Sequence, residues 1–171
     1  SGYTALHFAA RNGDHNAARL LCSAGADLNA EACTKDSAAN HGERPIHTAL
    51  RNLSGLSNQN MSNVPEMKDM LRALACVKQL LEATPAEGKL AADLNYPIEF
   101  KSKDWADYAS DVRFKGHGKD STYEVTAAQI ARKIADGLRA EVSAHVREFS
   151  SSVKGALQSE PLVGQLFGDA T

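Results

Sequence analysis

The sequence predicts an all-α solenoid, built of short helix–turn–helix pairs and closed by a long C-terminal helix. Three observations carry this. Residues 2–30 read as two short amphipathic helices and a turn. The block Gly25-Ala26-Asp27-Leu28-Asn29 returns almost letter for letter as Ala91-Ala92-Asp93-Leu94-Asn95, and Gly2 to Ala10 returns as Gly42 to Leu50. Near the C-terminus, one apolar stripe through Ala131, Ala135, Leu138, Val142, Val146, Phe149 and Val153 keeps helical phase. Helices of about three turns do not stand alone in water, so such pairs need neighbours and imply a stacked array.

In the first pair, Leu6, Ala9 and Ala10 recur at helical spacing and form one face. Asn12-Gly13 stops that helix, because glycine takes the left-handed conformation of a helix exit. Ala17, Ala18, Leu20 and Leu21 are expected on the buried side of the second helix, which Gly25 ends.

The run Gly2-Tyr3-Thr4-Ala5-Leu6-His7-Phe8-Ala9-Ala10-Arg11-Asn12-Gly13, followed by Leu20-Leu21 and Gly25-Ala26-Asp27-Leu28-Asn29-Ala30, resembles the ankyrin repeat. That family's pattern is G-x-T-P-L-H-x-A-A-x-x-G, then L-L, then G-A-D-x-N-A; here Ala5 stands where proline is usual. The resemblance implies helix–turn–helix units with β-turn fingers, and a role in binding other proteins.

Residues 31–41 lengthen the first finger, so 1–41 reads as one repeat with an extended finger. A second repeat, 42–95, opens at Gly42-Glu43-Arg44-Pro45-Ile46-His47 and now carries the proline, which suits a helix's first turn. Arg44 replaces the usual threonine and weakens the expected loop hydrogen bond. Residues 52–70 begin polar and turn-rich and read as a loop, an insertion of about twenty residues. Pro65 marks the start of a helix running to about Ala83 on Met67, Met70, Leu71, Leu74, Val77, Leu80 and Leu81. The Leu80-Leu81 pair is expected beside Leu20-Leu21.

Residues 96–122 read as an irregular extended finger or hairpin. Pro97 to Lys101 and Asp111 to Lys115 alternate apolar and polar residues, and are expected to pair around Trp105 and Tyr108. Residues 123–171 read as a C-terminal cap, with one helix over about 125–157. The competing reading is a degenerate third repeat that breaks at Gly137. Leu162, Val163, Leu166 and Phe167 lie in a tail able to fold back as a short helix.

At 171 residues the chain fits one domain, and its net charge of −2 creates no field favouring nucleic acid or acidic membranes. Aromatics at 6% are few for a base-stacking platform. Three cysteines, Cys22, Cys33 and Cys76, in no close pair, suit reduced thiols in an intracellular, cytoplasmic protein. No 18-residue apolar run predicts a membrane span. No basic-then-apolar leader stands at the start, and the chain opens inside a repeat without a polar cap. The expectation is therefore a piece of a longer protein with more repeats upstream.

For His7 and His47 the resemblance implies hydrogen bonds to backbone groups of the neighbouring finger, not metal binding or catalysis. Cys33, His41 and His47 lack the tight pairs zinc needs, and Cys22 and Cys76 sit on apolar helix faces where a thiol packs. Asn29 and Asn95 occupy a context in which family members can be hydroxylated; the plainer reading is a turn residue. Gly116-x-Gly118 is too slight for a phosphate loop. No metal, cofactor or small-molecule substrate is expected, nor nucleic acid or membrane insertion.

The resemblance implies a concave binding face formed by fingers and first helices. Carried onto this chain, it places Tyr3, Asn12, Glu43, Arg44 and Arg51 against a protein partner. Trp105 and Tyr108 join them as aromatic anchors of the long finger, although Trp105 equally suits packing on the last helix. The functional expectation is a protein-interaction module without chemistry of its own. The alternative is the targeting part of an enzyme or effector whose catalytic domain lies at 96–171 or outside this chain, drawing on residues such as His117 and His145. A third is an architectural end cap, with binding done upstream. In style the long loops and degenerate repeats resemble ankyrin proteins that intracellular bacteria deliver into host cells.

Overall fold

A computed structural model describes residues 2–32, 42–57, 64–100, 109–116 and 122–159. The order of elements is α1 (Ala5–Asn12), α2 (His15–Ser23), α3 (Pro45–Ser57), α4 (Val64–Glu82), β1 (Pro97–Phe100), β2 (Arg113–Lys115), β3 (Thr122–Thr126) and α5 (Ala127–Ser159). The chain divides into two compact units, 1–134 and 135–171, with the division falling within α5. The fold is mostly helical with a small sheet, which corrects the all-α expectation.

The first unit is built on two stacked helix pairs. α1 packs on α3 and α2 on α4, while α1 with α2 and α3 with α4 form the pairs. Their shared core holds Leu6, Ala9, Ala10, Ala18, Ile46, Ala49, Leu50, Leu53, Ala73, Cys76, Val77 and Leu80. The small residues at 9, 10, 18, 49 and 73 let the helices approach closely, so each short helix borrows its burial from the next pair. Gly13 closes α1 at φ 62°, and its neighbour Asp14 caps α2 by accepting the Ala17 N–H at 3.0 Å.

Two expectations about these helices are corrected. Residues 52–57 continue α3 instead of opening a loop. The reason is apolar phase: Leu53 follows Ile46, Ala49 and Leu50 on the buried face. Leu20 and Leu81 are 61% and 45% exposed, so the buried partners of these Leu-Leu pairs are fewer than expected. α2 and α4 pack on each other, and their buried residues include Ala18 at 0% and Leu80 at 1%.

The strand expectation is corrected too. β1 and β2 do not pair with each other; β3, not foreseen from the sequence, lies between them in the order β1-β3-β2. Both pairings are antiparallel, with Ile98 opposite Val125, and Glu124 opposite both Glu99 and Arg113. Ile98, Val125, Ala109, Ala127, Ile130 and Ile134 are buried as well. α5 opens with a reciprocal capping box: Thr126 N–H donates to Gln129 Oε1 at 2.8 Å, and Gln129 N–H to Thr126 Oγ1 at 3.2 Å. The helix runs through Gly137 without interruption. Residues 33–41, expected to lengthen the first finger, Trp105 and Tyr108, and the tail from 160 onward lie outside the described residues.

Candidate interaction surface

Both repeat-opening histidines are fully buried, and their protons can be placed from their partners. Thr4 donates to His7 Nδ1 through its backbone N–H (3.2 Å) and its hydroxyl (2.9 Å). Nδ1 therefore carries the lone pair, and Nε2–H donates to the Glu43 carbonyl at 2.9 Å. His47 repeats the arrangement: Arg44 N–H donates to its Nδ1 at 3.4 Å, and its Nε2–H donates to the Tyr96 carbonyl at 3.2 Å. Arg44 brings no hydroxyl to this site, and both bonds are longer than their counterparts at His7. Burial keeps both rings neutral, pushing His7 below the ordinary histidine range and His47 down to about 4. Each histidine thus bolts a helix pair to the segment that follows its finger.

Tyr3, Glu43 and Arg51, expected to face a partner, are brought together, but around one another. Glu43 has no exposed surface. Its Oε2 accepts the Tyr3 hydroxyl at 2.9 Å, and its Oε1 accepts the Thr48 hydroxyl at 2.8 Å and faces Arg51 Nη2 at 3.1 Å. A buried carboxylate needs such saturation, since an uncompensated one costs several kcal/mol. Its main chain also bridges to Ala32 at the base of the first finger, whose N–H donates to the Glu43 carbonyl at 2.8 Å. Asn12 stays exposed at the end of α1, beside exposed Arg11.

Arg44 is only 11% exposed. Its guanidinium lies 3.3 Å over the Tyr96 ring, contacts Glu31 at 3.1 Å, and reaches Asp93 at 3.7 Å and Asn29 at 3.4 Å. A hydrogen bond from the Tyr96 hydroxyl, aided by Arg44, holds the Glu31 carboxyl below its usual range. The same bond pushes the Tyr96 hydroxyl up.

Asn29 couples the fingers. Its amide donates to the carbonyls of Leu90 (3.1 Å) and Ala91 (2.8 Å), and its oxygen accepts the Asp93 N–H at 3.0 Å. The two finger turns are built alike, because Asp27 accepts the Asn29 N–H and Asp93 the Asn95 N–H, each at 2.9 Å. Lys89 adds a bond to the Gly25 carbonyl at 2.7 Å.

Beside these fingers lies a recess of about 350 Å³ lined by Glu31, Gly42, Tyr96, Pro97, Glu99, Lys115 and Glu124. Glu99 and Glu124 sit directly opposite on adjacent strands, a repulsive pair, and Lys115 bridges both. Those hydrogen bonds, to Glu124 first, push the Lys115 ammonium up. Tyr96, Thr48 and the coupling role of Asn29 are not foreseen from the sequence. Only Asn29 carries a visible signal there, its recurrence as Asn95.

Cys76 is fully buried with its sulfur 3.8 Å from the Ala9 carbonyl, and burial pushes its thiol up to about 11; Cys22 is half-buried. Cys33, His41 and His117 lie outside the described residues. Among the described residues no group of three or more His, Cys, Asp or Glu side chains is placed to hold a metal ion. None of the described helices is long and apolar enough to cross a membrane.

The sequence model of the ankyrin-repeat family matches residues 1–32. These residues are an ankyrin repeat, a unit that is non-catalytic and generally serves protein–protein interaction. No curated protein and no solved structure matches the chain.

Proposed function

We propose that the chain is a protein-interaction module that holds a partner protein against its two fingers and the exposed end of α1. The observation that carries this reading is the rigid coupling of the fingers by Asn29 and Arg44, which spans residues 27–31 and 90–96. A binding surface whose loops are already fixed loses little entropy on association. In this reading the array continues through the first turns of α5, where Ala127, Ile130 and Ile134 are buried, and α5 closes it. The residues best placed to touch a partner are Asn12 with Arg11, and the exposed turn residues Asp27, Asp93 and Asn95. Tyr3, Glu43, Arg44 and Arg51 support that surface from beneath.

The test is capture from lysate by the full chain, read by mass spectrometry, with Arg11→Glu combined with Asn12→Ala. The reading expects the captured partner to be lost while circular dichroism is unchanged. Undiminished capture by that variant would overturn it.

A further inference from the structure

The two repeat-opening histidines are bonded alike but stand in opposite fields. The Glu43 carboxylate acts on the His7 ring and favours a proton there. The Arg44 guanidinium acts on the His47 ring and opposes one. Asp93 in the second finger favours a proton on His47, but it is 49% exposed and its pull is screened by water; His7 in α1 opposes one. The other charges nearby are already engaged. Arg51, one turn further along α3, faces Glu43, and Glu31 is held by Arg44 and the Tyr96 hydroxyl. From α4 the shared core receives Ala73, Val77, Leu80 and the neutral Cys76 thiol.

The two joints also differ in what closes them. His7 is closed by Glu43, whose carboxylate is itself tied to Tyr3, Thr48 and Arg51. His47 is closed by Tyr96, the residue before β1. β1 packs on β3, whereas α3 packs on α1 and α4. Tyr96 can therefore lift without parting α3 from its helix neighbours.

A proton reaching His47 must take Nδ1, the nitrogen that carries the lone pair. The new Nδ1–H then meets the Arg44 N–H, and one of the two donors has to leave. The resulting cation is buried beside a guanidinium and gains hydration only when its cover opens. We propose that His47 is an acid-operated latch: a proton on its Nδ1 releases the Arg44 main chain and lifts the Tyr96 segment from α3, while the His7 joint stays shut. With the ring titrating at about 4 when closed and at its ordinary 6.5 when open, the open population rises about thirtyfold between about pH 7.5 and about pH 5.

The test is amide exchange by nuclear magnetic resonance on the full chain at those two pH values, corrected for the intrinsic rate and repeated in low urea. The Arg44 amide donates to His47 Nδ1 and the Thr4 amide to His7 Nδ1, so they form a matched pair. The proposal expects Arg44 to lose about thirtyfold in protection on acidification and Thr4 to lose less. It expects Arg44 exchange to ignore low urea, as a local opening does, while the slow helix amides accelerate. In His47→Gln, whose amide still serves the Tyr96 carbonyl, the pH dependence at Arg44 should vanish. Should that variant not fold, the comparison of Arg44 with Thr4 in the parent chain decides by itself. An equal loss at Thr4 would overturn the proposal. So would Arg44 exchange that follows urea as the slow helix amides do, or a pH dependence that persists in His47→Gln.

Discussion

The side-chain oxygen of Asn29 accepts the backbone N–H of Asp93 at 3.0 Å, joining turns that are 64 residues apart in the chain. With the two carbonyls its amide serves, Asn29 replaces a stretch of finger-to-finger backbone pairing. Asn29→Ala should lower stability by about 1 kcal/mol, the net worth of ordinary hydrogen bonds in exposed turns where water takes over part of the pairing. Asn95→Ala removes an exposed side chain in the equivalent turn and should stay within about 0.5 kcal/mol. Urea titration of the two variants checks this directly, because the residues are matched in type and local turn.

The buried carboxylate makes a sharper prediction. Arg51→Ala leaves Glu43 without its cation and should cost about 3–5 kcal/mol. Tyr3→Phe removes one neutral donor to the same group and should cost about 1 kcal/mol. In a double-mutant cycle with Glu43→Gln, both should show coupling. Loss of partner capture by Arg51→Ala would therefore report unfolding as readily as a lost contact.

Histidine protonation sets the acid limit. The His47 ring is held neutral down to about 4, against an ordinary value of 6.5, so the folded state binds fewer protons than the unfolded chain between these values. The stabilisation is complete above pH 6.5 and is lost as pH falls toward 4, by about 3 kcal/mol for this one group. His7 acts in the same direction. Glu31, whose carboxyl is held low, loses its contribution only as pH drops below the ordinary carboxylate range. Chemical denaturation at about pH 7.5 and about pH 5 should show a clear fall in the parent chain and a smaller one in His47→Gln.

Two glycines should respond oppositely to alanine. At Gly13 the φ of 62° is strained for any side chain, and a Cβ would stand 3.2 Å from the Ala73 backbone. Gly13→Ala should destabilise by about 1–3 kcal/mol. Gly137 sits inside α5, where an added methyl group would meet nothing within 4 Å, so Gly137→Ala should stabilise by about 0.5–1 kcal/mol. Thermal melts decide between these signs, and a destabilised Gly137→Ala would favour a helix that breaks there.

How much of the fold is legible in the sequence follows from what each signal encodes. The Leu6–Ala10 face and the paired Ala-Asp-Leu-Asn turns are readable because each rests on local spacing, whereas the bonding of His7 and His47 comes only with the family resemblance. Leu20 and Leu81 are misplaced because a repeat pattern says which residues are apolar, not which side of an array stays uncovered. The pairing of β1 with β2 is expected from proximity in the chain. It fails because Thr122 to Thr126 carries the same alternation and outcompetes a direct hairpin. The family resemblance assigns Tyr3, Glu43 and Arg51 to a partner; what no spacing shows is that the Glu43 carboxylate accepts the Tyr3 hydroxyl and faces Arg51, because that depends on packing.

Native-state hydrogen exchange on Leu6→Ala is the most direct test of the central claim that the two helix pairs stand or fall together. Leu6 lies in α1, within the core shared with α3 and α4. The account predicts that slow amides of α1, α2, α3 and α4 all lose the same protection, as one cooperative unit. Faster exchange confined to α1 and α2, with α3 and α4 protected as before, would contradict it.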